Sequence, residues 1–468
     1  MPSKRATSKS SSRRKSPVAK KRKSNRKASD ASFARRKKTK RSSSRGGKGA
    51  VAAAPVTIRQ PVQAASSLEA YRELEKALYE LRDAVEASGS YRELTERLSG
   101  RHFPENRIAQ LADLGLGGDL HLHSSVSDGK VSPRKLPWLA RVLGLQTIAI
   151  TDHDSVDGCR EAFREGLLLG VRVLCGVELS TEQPGLEVLA YFPDAGKLFS
   201  FLQSSRSSRF RNALKRRQAQ IHAKSLACLE YVNRWLRRHK VPADRQITLE
   251  EYDRWFDGRQ PYFPGTLCVL GLQRLTPEQR DALRIHDPRT FNTKVVTPFL
   301  KLWRGSGDEV GKVAAGDRTA ESFALVRSAL RADVPTATVM AHPKELVTKG
   351  KMSLGAVRKM IFELAEAYGL DGIEVSCARD NEDDIRYWKE TVAQYNERVG
   401  QGKATKPLLA ASHSSDFHVL GPGIETGEIT LGFGVLDSRP QYRRGNLRPQ
   451  MPLDEFLEQL QRRANENV

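Results

Sequence analysis

The chain has 468 residues, enough for two or three domains with an ample core. Its formal charge of +23 points to a polyanion partner until it is divided: residues 1–50 hold 20 Lys and Arg against the single acid Asp30, a net +19, and the remainder carries only +4. No apolar run of about 18 residues and no apolar N-terminal h-region occurs, so neither a membrane span nor a secretory signal is expected. Cys159, Cys175, Cys228, Cys268 and Cys377 show no CxxC spacing, and they read as reduced thiols of a cytosolic-type compartment.

Residues 1–65 are rich in Lys, Arg, Ser and Ala, with Phe33 their only aromatic. Such a segment buries too little to offset its chain entropy and reads as a disordered tail. Its blocks Lys20-Lys21-Arg22-Lys23 and Arg35-Arg36-Lys37-Lys38 suit non-specific contact with RNA or DNA phosphates, or an import signal. A helical lead-in is expected over 66–116, where Leu68, Tyr71, Leu74, Leu78 and Leu81 recur at spacings of three and four.

From Gly118 the pattern changes to strands alternating with helices. Strands are predicted at Asp119–His123, Thr147–Thr151, Val171–Leu174 and Glu187–Phe192, and helices at Pro133–Leu143 and Gly158–Leu169. After an interruption, helices are predicted at Glu321–Ala332 and Leu354–Tyr368. Further strands are predicted at Ala337–Ala341, Gly372–Val375 and Leu408–Ala411. This alternation implies parallel βα units over 117–194 and 316–440, with the chemistry at the strand C-terminal ends. The interruption, 195–315, reads as a mostly helical insertion that either caps the site or only stabilises it, and Phe210–Arg238 is strongly basic. Residues 441–468 form a C-terminal segment with a helix.

Metal-ligand residue types sit at the ends of these strands. They are His121 and His123, Asp128, His153, Glu178, His342, Asp416 and His418. Two histidines two apart on a strand share a face, leaving Leu120 and Leu122 on the other. Asp128 follows in a Ser/Gly turn and can fold back onto the same ion. Asp152 and Asp154 flank His153 and read as anchors for its imidazole. Imidazoles and carboxylates brought from many strands to one point describe a hydrolytic site with several metal ions. Mixed nitrogen and oxygen ligands suit Mn²⁺, Fe²⁺ or Zn²⁺ better than Mg²⁺.

Asp-Leu-His-Leu-His-Ser at 119–124, Thr-Asp-His-Asp at 151–154, Gly-Val-Glu at 176–178, Ala-His-Pro at 341–343 and Ser-Asp-Phe-His at 415–418 resemble the PHP (polymerase and histidinol phosphatase) superfamily. The resemblance implies a distorted (β/α)7 barrel with two or three divalent ions that hydrolyses phosphoesters. The nearest branch acts on nucleoside 3',5'-bisphosphates, short RNA and cyclic phosphates. Two positions depart from that branch. Glu187 stands where a His is usual, and a carboxylate there still suits Mn²⁺ or Zn²⁺. Gly258-Arg259-Gln260-Pro261-Tyr262 resembles its Gly-Arg-x-Pro-His segment with Tyr262 for His, leaving Arg259 to grip a phosphate.

The expected function is a metal-dependent phosphoesterase of nucleotides or nucleic-acid ends, working by attack of a metal-bound hydroxide. Asp154 and His413 are the catalytic candidates, and His413 reads equally as a proton donor or a structural histidine. Arg259 and Lys344 are candidate substrate contacts, and Glu178 is the first choice for a bridging carboxylate. Two alternatives stand beside this reading: a polyanion-binding protein with a catalytically reduced barrel, and a histidinol-phosphate-type phosphatase. The compartment expected is the cytoplasm, at the nucleoid in a bacterium or in the nucleus of a eukaryote.

Overall fold

The computed structural model describes residues 80–99, 118–142, 145–256, 263–305, 318–377, 380–404, 409–418 and 458. The basic segment 1–65, most of 441–468, and Arg259 and Tyr262 lie outside the described residues.

Seven strands form one sheet in sequence order: β1 (Gly118–Leu122), β2 (Thr147–Ile150), β3 (Arg172–Ser180), β4 (Glu187–Phe192), β5 (Ala337–Met340), β6 (Gly372–Ser376) and β7 (Ala410–His413). The two edges meet where Phe417 bridges to Leu122, with His123 N donating to Phe417 O at 2.8 Å. The sheet is thus nearly closed into the distorted seven-stranded barrel expected.

One strand departs from the parallel βα pattern. β4 runs antiparallel to both β3 and β5, and the other pairs are parallel. Residues 181–186 between β3 and β4 are too few for a crossover, which needs a dozen or more, so the chain turns straight back as a hairpin. The reversal has a functional consequence. Glu187 begins β4, yet it lies at the rim where the parallel strands end, opposite Ser180, and its carbonyl accepts from Ala341 N at 3.0 Å. β3 also runs on past the predicted Leu174, so Glu178 lies within it.

The barrel interior is filled by Leu120, Ala149, Leu174, Leu189, Val339 and Ala410 together with the large Tyr191, whose hydroxyl donates to Leu120 O at 2.8 Å. Leu122, Ile148, Ile150 and Cys175 face an outer layer instead, under helices. Leu120 and Leu122 therefore do not share a face, as simple alternation requires. A register shift between Asp119 and Leu122 inserts one extra residue opposite β2, and this bulge turns both Leu120 and His121 inward.

The helices of the outer layer include α1 (Tyr91–Leu98), α2 (Leu136–Val142) and α3 (Cys159–Leu169). Ser90 caps α1 by accepting from Glu93 N, and Leu94 and Leu98 join the same core as Leu136 and Trp138. Gly170 ends α3 in the left-handed conformation that glycine adopts without strain.

Between β4 and β5 the described chain is helical. α4 (Ala195–Gln203) leads into the 31-residue α5 (Ser208–Arg238). α6 (Leu249–Trp255), α7 (Thr266–Arg274) and α8 (Pro277–Leu283) follow, and a π-helical turn at Asn292–Val296 runs into α9 (Thr297–Gly305). These helices bury their own core, with Val232, Leu236, Tyr252, Leu267 and Phe291 fully enclosed. α10 (Arg318–Leu330) returns to the barrel, and α11 (Lys344–Thr348), α12 (Leu354–Tyr368) and α13 (Glu382–Gly400) complete it. Among the described residues no helix is long and apolar enough to cross a membrane, and all five cysteines are free and buried.

Candidate metal centre

Five imidazoles and five carboxylates converge at the barrel rim. They fall into overlapping groups whose ligand atoms lie within 4.8 Å of one another: His121 with His123 and Asp416; Asp128 with His123, His153 and His418; His342 with His121 and Glu178; Glu187 with His153 and Glu178; and Glu345 with Glu187 and His342. Every metal candidate read from the sequence is in this set, and Glu345 is an addition.

Glu178 sits at the centre and is fully buried. Its Oε2 has His153 Nδ1 at 3.0 Å, His123 Nε2 at 3.2 Å and His121 Nε2 at 3.3 Å, yet it makes no hydrogen bond. Its Oε1 lies 3.1 Å from His342 Nε2. Nitrogen and oxygen lone pairs crowded on one buried point without hydrogen-bond geometry fit a shared cation. Asp128 Oδ2 stands 3.3 Å from His418 Nε2 and 3.5 Å from His153 Nε2, which gathers a second such point.

The electrostatics agree. Burial alone lowers the pKa of His121, but the carboxylates of Glu178, Glu374 and Asp416 raise it well above its ordinary value. By the same balance Glu178 and Asp128 carry His153 up to about 9. Glu345, Glu178 and Asp416 carry His342 to about 10. Burial opposes ionisation of Glu178, yet His153 and His121 hold its carboxyl well below the usual range. Burial and the charge of Glu178 push Glu187 up. Metal binding at such groups is coupled to proton release, because a cation competes with protons for the same lone pairs.

Supporting contacts fix the donors. Glu374 on β6 was not foreseen. Its Oε1 lies 3.1 Å from His121 Nδ1, its Oε2 accepts from His342 N at 2.7 Å, and Ser414 Oγ donates to it. A proton held at Nδ1 leaves His121 Nε2 bare toward Glu178. The available signal was a lone acid in the apolar stretch Gly372-Ile373-Glu374-Val375. Asp119 likewise accepts from Ser415 N at 3.0 Å and ties β1 to the segment carrying Asp416. Asp152 anchors the turn rather than the imidazole, accepting from Ser124 N, Ser124 Oγ and Ser127 Oγ, each at 2.7 Å. It thereby positions Asp128. Gly129 makes that turn possible, because a Cβ there would meet His123 O at 2.3 Å. His342 and Asp416 both adopt positive φ, 24° and 55°, a conformation uncommon outside glycine but one in which Asp and His are enriched.

The remaining candidates lie elsewhere. Asp154 does not enter the donor groups. Its carboxylate accepts from Arg217 Nη1 at 3.1 Å and Ser180 N at 3.3 Å. Lys344 pairs with Asp384 on α13. His413 ends β7 beside Ser376, outside the donor groups, and Arg259 lies outside the described residues.

The donors floor a cavity of about 220 Å³, walled by Trp255, Phe263, Thr266 and Asn292 from the helical segment, with Lys130 and Lys349 at its rim. Lys130 stacks on Trp255, its Nζ 2.9 Å from the ring centroid.

A barrel rim that gathers so many imidazoles and carboxylates around one cleft is the frame of a metal-dependent hydrolase. Residues 119–256 match the PHP domain family. The chain is 34% identical over 101 residues to a 5'-3' exoribonuclease of Haemophilus influenzae, covering 21% of this chain and 37% of that protein. The chain thus spans little more than a third of that relative's length. It is 25% identical over 317 residues to a 3',5'-nucleoside bisphosphate phosphatase of Chromobacterium violaceum, covering 65% of this chain and 88% of that protein. A solved amidohydrolase from Chromobacterium violaceum, with bound sulfate and no metal, is 24% identical over 67% of this chain and 90% of its own, with a TM-score of 0.38.

Proposed function

We propose that this chain is a metal-dependent phosphoesterase that hydrolyses phosphate esters of nucleotides or nucleic-acid ends. The observation that carries the reading is the buried Glu178 carboxylate, whose oxygens have four imidazole nitrogens within 3.3 Å.

Divalent ions at such a rim polarise a phosphoryl group and generate a strong nucleophile from water near neutral pH. One would be held by His121, His123 and Asp416, a second by Asp128, His153 and His418, and a third by Glu187 and His342. Glu178, within reach of His121, His123, His153 and His342, would be the carboxylate shared between ions. Mn²⁺, Zn²⁺ or Fe²⁺ suits the imidazole-rich points, and the carboxylate Glu187 hardens the third toward Mn²⁺. Glu374 and Asp152 hold the donors in place. Lys130 and Lys349 at the rim offset the charge of an incoming phosphate. Trp255 and Phe263 wall the cleft against bulk water and offer a surface for the organic part of the ester.

In this reading the helical segment between β4 and β5 roofs the cleft and selects the substrate. Asp154 acts through Arg217 on the placing of His153, and the basic 1–65 segment raises affinity for RNA or DNA. The relatives named for nucleotide and RNA substrates support the choice of ester.

Elemental analysis of the purified full chain, with hydrolysis of a chromogenic phosphoester before and after His121→Ala, tests the reading. Two or three equivalents of metal with turnover lost in the variant are expected. No bound metal and no turnover after Mn²⁺ loading would overturn it.

A further inference from the structure

α5 has a charged face that the fold does not use. Its 31 residues include nine Lys or Arg and one acid, Glu230. Two of those cations are spent internally: Arg216 pairs with Glu321, and Arg217 with Asp154 and Glu321. Arg211 and Lys215 are different. Both are exposed and neither forms an ion pair among the described residues. Like charges at i and i+4 work against a helix, so this pair is kept at a local cost.

The spacing gives the face its direction. Arg211, Lys215, Gln218 and His222 are separated by four, three and four residues and share one stripe. Gln218 Nε2 donates to the carbonyl of Asp154 at 3.1 Å, one residue past His153. The stripe therefore runs along the helix to the edge of the metal centre, ending within about one helical turn of Lys215. Trp255 and Phe263 line the metal cleft itself, Phe263 with its ring centroid 5.8 Å from that of His153.

We propose that the Arg211–Lys215 stripe of α5 is a phosphate-contacting track for a single-stranded oligonucleotide whose terminal ester occupies the metal cleft. This rests on the phosphoesterase reading above. Single-stranded nucleic acid suits the arrangement because it offers phosphates to the stripe and bases to the aromatic wall at once. A cleft of about 220 Å³ receives a chain end and not a duplex.

The test uses the full chain and its Arg211→Glu/Lys215→Glu variant. Three readouts are the KM for hydrolysis of a pentanucleotide, kcat/KM for a small chromogenic phosphoester, and photocrosslinks from a thiouridine-labelled pentanucleotide mapped to peptides. Crosslinks within 209–222 are expected in the parent chain. In the variant, the pentanucleotide KM rises at least tenfold, the slope of log KM against log salt falls by about two, and the small ester changes less than twofold. Crosslinks confined to residues 1–65, or an unchanged KM, overturn the track. Equal loss on both substrates calls for the milder Arg211→Ala/Lys215→Ala pair, and a non-selective loss there also overturns it. A parent chain inactive on the small ester with Mn²⁺ present sinks the phosphoesterase reading instead, and the crosslinks still report on the track.

Discussion

Arg217, on the long helix of the β4–β5 segment, donates to Asp154 at 3.1 Å, and Asp154 directly follows the donor His153. The same guanidinium donates to Ser180 O at 3.1 Å, Glu321 at 2.9 Å and Ser322 Oγ at 3.0 Å, and it is 2% exposed. The helical segment is thus bolted to the rim beside the metal centre. Removing one partner of a buried pair strands the other charge, at about 3–5 kcal/mol. Arg217→Met is expected to lose about that much stability in urea unfolding. It is also expected to weaken Mn²⁺ binding measured by calorimetry, with Arg217→Lys intermediate. Unchanged metal affinity would reduce Arg217 to a structural role.

Glu374 sets the ring of His121 from beneath, through a 3.1 Å contact to Nδ1. Outer contacts of this kind are typically worth ~10–100-fold in metal affinity. Glu374→Gln should fold and lose affinity in that range when titrated against a chelator, and His121→Ala should lose more. An affinity equal to the parent's would show that Glu374 does not control the ring.

Gly129 leaves room for the turn that carries Asp128. In Gly129→Ala the new Cβ meets His123 O at 2.3 Å and Ser124 N at 2.8 Å, so the turn must shift. The expected cost is about 1–3 kcal/mol. The metal content per chain should fall with it, as the point shared by Asp128, His153 and His418 opens. Full occupancy in elemental analysis would contradict this.

Asp380 supplies a pH test away from the donors. Burial, with the charges of Asp384 and Glu374 nearby, pushes its pKa from 3.8 to about 7. The folded chain then holds a proton that the unfolded chain releases above about pH 4. This group therefore adds stability as pH falls from 7 toward 4 and removes it as pH rises through 7. Asp380→Asn is expected to melt higher than the parent at pH 8 by the equivalent of at least ~1 kcal/mol, each pKa unit being about 1.4 kcal/mol. The gain should shrink at pH 5.5. A pH-independent difference would mean that Asp380 is not protonated in the fold.

The metal donors were legible because donor chemistry is written in residue type. His121, His123, His153, His342 and His418 follow short apolar stretches that read as buried strands, and five histidines gathered at such ends point to one site. Glu374 and Glu345 were missed for the converse reason. A single acid in a strand or a helix's first turn carries no local mark, and its role arises only from the neighbour placed against it. Asp154 was read as a catalytic candidate because it touches His153 in sequence. In space the carboxylate faces Arg217, 63 residues further along.

By itself, the sequence determined the alternation of strands and helices and the types of residue that end them. Both follow from local periodicity and from which side chains bind metal. Only the tertiary structure decided that β4 runs backward and brings Glu187 to the rim. It alone bulged β1 so that Leu120 and His121 both turn inward, and brought the nitrogens of four imidazoles within 3.3 Å of Glu178. Those outcomes depend on barrel closure and strand register, which couple residues hundreds of positions apart and leave no trace in any short window.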